Sequence, residues 1–475
     1  MQDKTVVTRF APSPTGFMHV GNLRTGLFAW LWARKNKGIF ILRIEDTDKK
    51  REVEGSIEHI KESLRWIGID WDQGPDIGGP HAPYVQSQRL DLYKSYGEKL
   101  IEKGLAYADP YTEEELNAFR KQAEADKKPF LYRERRPENP PAWDGSMPLR
   151  FKVPEIKKYS WTDAVWGNLS AGPEALDDFI LIKSDGYPTY NFAHLVDDIE
   201  MGVTHVMRGQ EFISSTPKYL SVYEALGVNP PVFATTPPVM SDEGKKKLGK
   251  RDGAKDVLEY AKEGYLPQAM LNFLALLGWN PGGEKEVFTK EELIKLFSLD
   301  KIQHSGGQFG DEKLDWLNKE HIKLLPKEEV EKNILERLPE NLRHPKLVPL
   351  ISERISKWGE VGEMAERGEL DLFVKAPDMT DVQKTKLIFK NTSAEKISAN
   401  LKVAIEVLEQ IPENDFSLEH IKSSLMSIAD GMESRGELLH PVRFALSGME
   451  KSPDPFTIAS IIGKNETISR LQKAV

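Results

Sequence analysis

The first apolar pattern in the chain is the alternation in KTVVTRF, whose β-branched residues predict a strand. In NLRTGLFAWLWARKNKG, Leu23, Leu27, Trp30 and Leu31 recur at helical spacing, basic residues fill the last turn and Gly38 suits the stop. IFILRIEDTD returns to a strand that ends in acids. A strand, turn, helix and strand in this order imply parallel pairing through a right-handed crossover. Residues 109–133 predict a charged helix, and short strands broken by proline and glycine follow it. SDGYPTY reads as a turn between strands, with Tyr187 as a packed ring and Asp197 as a turn or strand acid. VTHVMRGQE alternates again and delivers Arg208 to a strand end, where open α/β sheets bind ligands. LPQAMLNFLALLGW is helical, with Pro267 near its start. From about residue 322 the pattern is almost all helix, with Leu401, Ile405 and Leu408 on one face and Leu418, Ile421, Leu425 and Ile428 on another. The expected class is α/β, with a helical tail.

Composition narrows this picture. A chain of 475 residues has room for several domains, and 39% apolar with 29% charged residues suits a protein that folds in water. No apolar run reaches the ~20 residues that span a bilayer, and MQDKTVVTRF lacks the pattern of a signal peptide. The expectation is therefore cytoplasmic, with no membrane partner. The absence of cysteine excludes disulfides, thiolate metal sites and cysteine nucleophiles. A net charge of −9 argues against binding polyanions over the whole surface, though not against a local basic face. No long apolar heptad is present, which favours a monomer.

Chemistry concentrates in two stretches. RFAPSPTGFMHVGNLR sets two prolines, Gly16, His19 and Gly21 at the turn into the first predicted helix. Exposed N–H groups and the helix dipole favour phosphate there, glycine lets a ring or phosphate approach the backbone, and an imidazole can stabilise charge on a phosphate in transfer. KKKLGKR carries four lysines and an arginine in seven residues, with Gly244, Gly249 and Gly253 in or beside it. A mobile basic stretch can neutralise a leaving pyrophosphate.

Together these stretches resemble the signatures of class I aminoacyl-tRNA synthetases, and PSPTGFMHVGNLR resembles the glutamyl and glutaminyl branch in particular. His19-Val20-Gly21-Asn22 is similar to the "HIGH" motif. Lys247-Leu248-Gly249-Lys250-Arg251 is similar to "KMSKS" in its KLSKR form, except that Gly249 replaces the family serine and removes a hydroxyl. The resemblance implies ATP as its Mg²⁺ complex, bound by Gly16, His19, Gly21, Lys247, Leu248, Lys250 and Arg251, with His19 and Lys250 catalytic. It implies an L-glutamate pocket built from Arg9, Ser13, Glu45, Tyr190, His194 and Arg208. A salt bridge from Glu45 to Arg43 is the alternative use of that acid, and Asp46 and Asp48 are expected to cap the next helix.

The resemblance also implies a layout. A Rossmann-like catalytic domain occupies 1–108 and 181–253, split by an acceptor-end insertion at 109–180. Residues 254–321 form a stem-contact domain and 322–475 a helical anticodon-binding domain. HPVRFALSG followed by FTIASIIG resembles the helical tail of bacterial glutamyl enzymes, whereas a glutaminyl enzyme would show alternating barrel strands. The implied partner is tRNA(Glu), with tRNA(Gln) left open. Arg133, Arg135 and Arg136 in the insertion and Arg354 in the tail are its candidate contacts. Many relatives carry a cysteine-based zinc knuckle in the insertion; this chain has no cysteine, so no zinc is expected. Two other readings stay open at this level: a catalytically weak tRNA-binding paralogue, and a nucleotidyltransferase that acts on a small acid.

Overall fold

The structure, a computed structural model, describes residues 5–244, 246–249 and 255–475. Lys250, Arg251 and Lys245 lie outside the described residues. Two compact units divide the chain, one ending at His321 and the other running from Ile322 to Val475.

The first unit begins with the expected crossover. β1 (Val7–Phe10) leads through the proline turn into α1 (Val20–Lys35), and β2 (Ile39–Leu42) returns parallel to β1 with Val7 opposite Ile39. Helix α1 stops before Gly38, at Asn36 and Lys37, the latter with φ 50°. Gly38 is needed for a different reason: a Cβ there would lie 2.2 Å from the Val6 carbonyl oxygen, where the returning chain meets β1. Next come α2 (Ser56–Trp66), α3 (Leu90–Glu102), β3 (Ala106–Ala108), α4 (Glu113–Ala125), β4 (Leu149–Phe151), β5 (Tyr159–Asp163), β6 (Gly167–Ala171) and β7 (Ile180–Ile182). They are followed by α5 (Tyr190–Glu200), β8 (His205–Gly209), α6 (Thr216–Leu226), β9 (Val232–Thr236) and the short β10 (Val239–Met240). Helices α7 (Val257–Glu263), α8 (Pro267–Leu276) and α9 (Lys290–Leu296), short β11 (Gly307–Gln308) and α10 (Asp311–Lys323) complete the series.

Strand faces explain the layering. Phe40 and Leu42 of β2, Met207 of β8 and Ala234 of β9 enter a core with α1, α2, α8 and α9. Their neighbours Ile41, Val206 and Phe233 enter a second core with α3, α5 and α6. Strands buried on both faces read as near-continuous apolar runs, as IFIL does. β8 and β9 are parallel over five residue pairs, and the start of β8 is tied to β1 by Thr204, whose hydroxyl accepts from Val7 N at 2.8 Å.

Four local expectations need correction. SDGYPTY turns from a strand into helix α5, because Thr189 takes the extended conformation of a helix N-cap, and Tyr187 is half-exposed with Lys183 over its ring. Asp197 therefore sits inside a helix. Neither Asp46 nor Asp48 caps α2, whose N-cap is Gly55 at φ 77°; Asp46 accepts from Ser87 N and Lys49, and Asp48 pairs with Arg51. The β5–β6 hairpin, which lies in the segment assigned from sequence to an insertion, joins β9 through Asp163, whose carboxylate accepts from Thr235 N and Oγ1, so it extends the β8–β9 sheet.

The second unit contains α11 (Lys327–Arg337), α12 (Val348–Arg354), α13 (Gly359–Glu366), α14 (Asp381–Thr385), α15 (Ala394–Gln410), α16 (Leu418–Ala429), α17 (Gly436–Ser447), α18 (Pro455–Ile462) and α19 (Lys464–Ala474). Leu401, Ile405 and Leu408 are buried on one face of α15. On α16, Ile421 and Leu425 are buried but Leu418, at the first helical position, is exposed. No helix among the described residues is long and apolar enough to cross a membrane.

Candidate active site

The cleft of the first unit opens where the parallel strands end. Arg9 stands next to the last residue of β1, Arg43 and Glu45 follow β2, Arg208 lies near the end of β8 and Thr236 ends β9. A cavity of about 330 Å³ is lined by Arg9, Ser13, His19, Gly21, Glu45, Tyr190, Arg208, Lys247 and Leu248, among others. Nine of the residues assigned from the sequence thus share one cavity. Gly16 and His194 do not line it. Gly16 holds the turn at φ 143°, and His194 lies buried next to Tyr190, ring centroids 4.8 Å apart.

Local structure explains how the imidazole is held. His19 is the N-cap of α1, and its Nδ1 accepts from Gly21 N at 3.2 Å. The neutral ring therefore carries its proton on Nε2. A Cβ on residue 21 would come within 3.1–3.2 Å of that ring, so glycine gives the imidazole its seat. The turn is braced against β2, since Glu45 N donates to Pro12 O and Arg43 N to Phe10 O.

Beneath the cavity lies an ionic network of which the sequence suggested only the Glu45–Arg43 pair. Arg43 is fully buried and donates through Nη1 to Asp198 Oδ1 at 2.8 Å and through Nη2 to Glu45 Oε1 at 2.9 Å, with Asp197 Oδ2 3.6 Å from its Nε. Asp198 Oδ1 also accepts from Arg9 Nε at 3.0 Å, and Asp197 accepts from Arg89, Gln86 and Tyr93. Burial works against charge on Asp198, but Arg9 and Arg43 outweigh it and hold the carboxyl below its usual range. On Glu45 burial prevails over Arg43 and raises the pKa. The Glu45–Arg43 pair and the cavity-lining place of Glu45 coexist, so the two uses of this acid are not exclusive.

Arg208 differs from the other arginines. Only its Nη2 has a hydrogen-bond partner, Thr216 Oγ1 at 2.7 Å; Nε and Nη1 are buried with none. Its guanidinium packs over the Phe233 ring at 4.6 Å and the Tyr219 ring at 4.9 Å, and burial lowers its pKa. A buried cation with two open donors calls for an anion. Arg9 and Arg43 share Asp198, Arg43 also meets Glu45 and Arg89 meets Asp197, so of these four arginines Arg208 is the one left without a carboxylate. Two more lining residues were missed by the sequence reading. Arg24 anchors α1 to Leu277 O and Pro237 O, and burial lowers its pKa to about 10. Glu211 accepts from Lys247 Nζ at 2.9 Å. The RGQE sequence around Arg208 carried the only signal for Glu211.

The sequence matches the family described as "tRNA synthetases class I (E and Q), catalytic domain" over residues 5–316, and "Anticodon binding domain" over 312–475. The chain belongs to the class I tRNA synthetases. It is 43% identical to a curated glutamate–tRNA ligase from Clostridium botulinum (strain Hall), covering 98% of this chain and 97% of that one. A glutamate–tRNA ligase from Clostridium acetobutylicum is 41% identical, with 99% and 98% covered. A crystal structure of a glutamate tRNA ligase from Elizabethkingia meningosepticum in complex with its amino acid matches with a TM-score of 0.86 at 35% identity, covering 99% of each chain.

The arginines assigned to tRNA in this synthetase have unequal freedom. Arg136 is spent on Asp178, donating to both carboxylate oxygens at 2.7 Å, and Arg133 donates to the Leu176 carbonyl. Arg135 is exposed and lies over the Phe119 ring at 5.4 Å. In the second unit Arg354 pairs with Glu369 and borders a cavity of about 390 Å³ with Leu350, Leu372 and Lys451. Among the described residues, no group of three or more His, Asp or Glu could hold a metal ion.

His194 yields a prediction. Burial lowers its pKa to about 4, with Arg208 and Arg9 adding to the effect and Asp198 opposing it. The unfolded chain then binds a proton that the folded chain refuses, so this contribution to stability is present above pH ~6.5 and lost as pH falls toward 4. Relative to a His194→Leu variant, the parent should lose on the order of 3 kcal/mol between pH 7 and pH 4. Urea unfolding of both proteins across that range measures it; parallel curves would contradict it.

Proposed function

We propose that the synthetase is a glutamate–tRNA ligase, cytoplasmic and monomeric, which activates L-glutamate with ATP and transfers it to the 3′-terminal adenosine of tRNA(Glu). The observation that carries this reading is the pair of buried, unpartnered donors on Arg208 beside Arg9, in a cavity that Glu45 also lines. Glutamate brings two carboxylates for such donors and one ammonium for an acid. In this reading Arg9, Tyr190 and Arg208 take the carboxylates, while Glu45 and Ser13 hold the ammonium. A glutamine side chain is a neutral amide and has no anion to offer the arginines.

Positioning and charge neutralisation supply catalysis. The substrate α-carboxylate attacks the α-phosphorus in line, and the bond to the pyrophosphate oxygen breaks. His19, its Nε2 proton fixed by the bond at Nδ1, stabilises charge on the transferring phosphate. Lys247, with Lys250 and Arg251 assigned from sequence, meets the departing pyrophosphate. The terminal adenosine hydroxyl then attacks the adenylate carbonyl, forming the ester and releasing AMP. Mg²⁺, expected as the companion of the ATP phosphates, would neutralise part of their charge when bound.

The test is glutamate-dependent exchange of pyrophosphate into ATP, with and without tRNA, followed by charging of tRNA(Glu) and tRNA(Gln) in parallel. Glutamate, and not glutamine or aspartate, should support exchange. Exchange with another amino acid in preference would overturn the assignment.

A further inference from the structure

His59 lies outside the cavity, on α2, yet its ring touches both chain segments that flank the proposed ATP site. Its Nδ1 accepts from Met18 N at 3.3 Å, and Met18 precedes His19. Its Nε2 lies 2.7 Å from Asp256 Oδ1, and Asp256 opens the helix that follows the basic stretch. Phe17 stacks on the same ring, centroids 4.6 Å apart and planes 19° apart.

These contacts fix the tautomer. A buried backbone N–H needs an acceptor, and Met18 N finds it in Nδ1. Ser63 Oγ lies 3.4 Å from Nδ1, but it donates its own hydrogen to His59 O at 2.7 Å. The ring proton therefore sits on Nε2 and donates to the Asp256 carboxylate. Asp256 uses the same oxygen to cap α7, accepting from Leu258 N at 2.9 Å. Backbone bonds run alongside: Val257 N donates to Met18 O at 3.0 Å, and His19 and Asp256 form a bridge.

We infer that His59 is a positioning residue for nucleotide activation: one imidazole joins the turn that carries His19 to the start of the helix after the basic stretch. Its contribution depends on the bond to Asp256 as well as on the bond to Met18. It does not line the cavity, so its effect runs through the placing of Met18, His19 and Asp256. This inference rests on the reading of the cleft as an ATP-dependent activation site.

Substitutions separate the two bonds. In His59→Asn the amide oxygen reaches about as far as Nδ1 does in the parent, so this variant keeps the Met18 bond and drops Asp256. His59→Gln reaches about as far as Nε2 and keeps the donor to Asp256. Asp256→Ser keeps the helix cap, since serine caps well, and is too short to reach the ring. His59→Asn and Asp256→Ser should each raise the KM for ATP about tenfold in the exchange assay, the loss of one charge-assisted hydrogen bond, with the KM for glutamate within about twofold. His59→Gln, which keeps the donor to Asp256 but gives up the acceptor for Met18 N, should raise the KM for ATP less, by roughly threefold, the loss of one neutral hydrogen bond. ATP affinity by calorimetry should follow the same order and does not require glutamate activation. If the parent binds ATP but does not activate glutamate, the substrate assignment fails while the ATP affinities still decide the role of His59. Parent-like ATP constants in His59→Asn or Asp256→Ser would overturn the inference. So would equal effects on ATP and glutamate, which indicate general loss of structure. If either variant fails to fold, the other decides from its own side of the bond.

Discussion

An Arg208→Met variant should bind glutamate at least a hundredfold more weakly than the parent and yet unfold, without ligand, at an equal or higher temperature. The two effects have one cause. In the ligand-free protein Arg208 is a buried cation with two donors unsatisfied, and burial lowers its pKa. Removing such a charge in favour of an apolar side chain of similar length is neutral or stabilising in many proteins. In the proposed reading, those donors meet a carboxylate when glutamate binds. A charge-assisted bond contributes roughly 1.5–3 kcal/mol, and two act together here, so a loss of about two to four decades in affinity follows. Calorimetric titration with glutamate and a thermal melt of the same preparation measure both. A variant that melts much lower would make Arg208 a structural cation. One that binds glutamate normally would place the substrate elsewhere.

How far the sequence carries depends on the range of the interaction. The β1–α1–β2 crossover was legible because its apolar spacing, basic last turn and terminal acids are all local. His19 and Gly21 were legible for the same reason, and the seat of the ring on Gly21 is a contact between near neighbours. Of the network around Arg43 only the pair with Glu45, two residues away, was legible; its other partners, Asp197 and Asp198 on α5, are brought to it by the return of the chain. Asp197 consequently looked like a turn acid. The same limit explains the assignments in the insertion, where a run of arginines read as one basic surface. Asp178 takes one of them and the Leu176 carbonyl another, and neither partner is marked by local pattern. Leu418 shows the opposite failure: helical spacing put it on the buried face of α16, but it stands at the first helical position, where that face has run out.

Arg43 sustains the most destabilising substitution expected. Arg43→Met leaves the carboxylates of Glu45, Asp197 and Asp198 buried, with Arg9 and Arg89 as their remaining cations. Breaking a buried ion pair from one side is expected to remove roughly 3–5 kcal/mol of stability at pH 7. The pH dependence identifies the cause. In the parent, Asp198 is held below its usual range, so its contribution is present above the unfolded pKa and is lost as acid protonates it. Without Arg43, burial and the neighbouring Asp198 act on Glu45 against Arg9 alone, so its already raised pKa rises further, and Asp198 loses one of the two cations that held it down. The folded variant then binds more protons than the unfolded one, and its stability rises as pH falls through those raised values. The gap between parent and variant should therefore narrow from pH 7 to pH 5. Tryptophan fluorescence in urea reads the right unit, since every tryptophan but Trp358 precedes Ile322. Adding Asp198→Asn should recover part of the loss at pH 7, because it removes one of the stranded charges. A deficit that is constant with pH, or is deepened by the second substitution, would mean that Arg43 acts through packing and not through its charge.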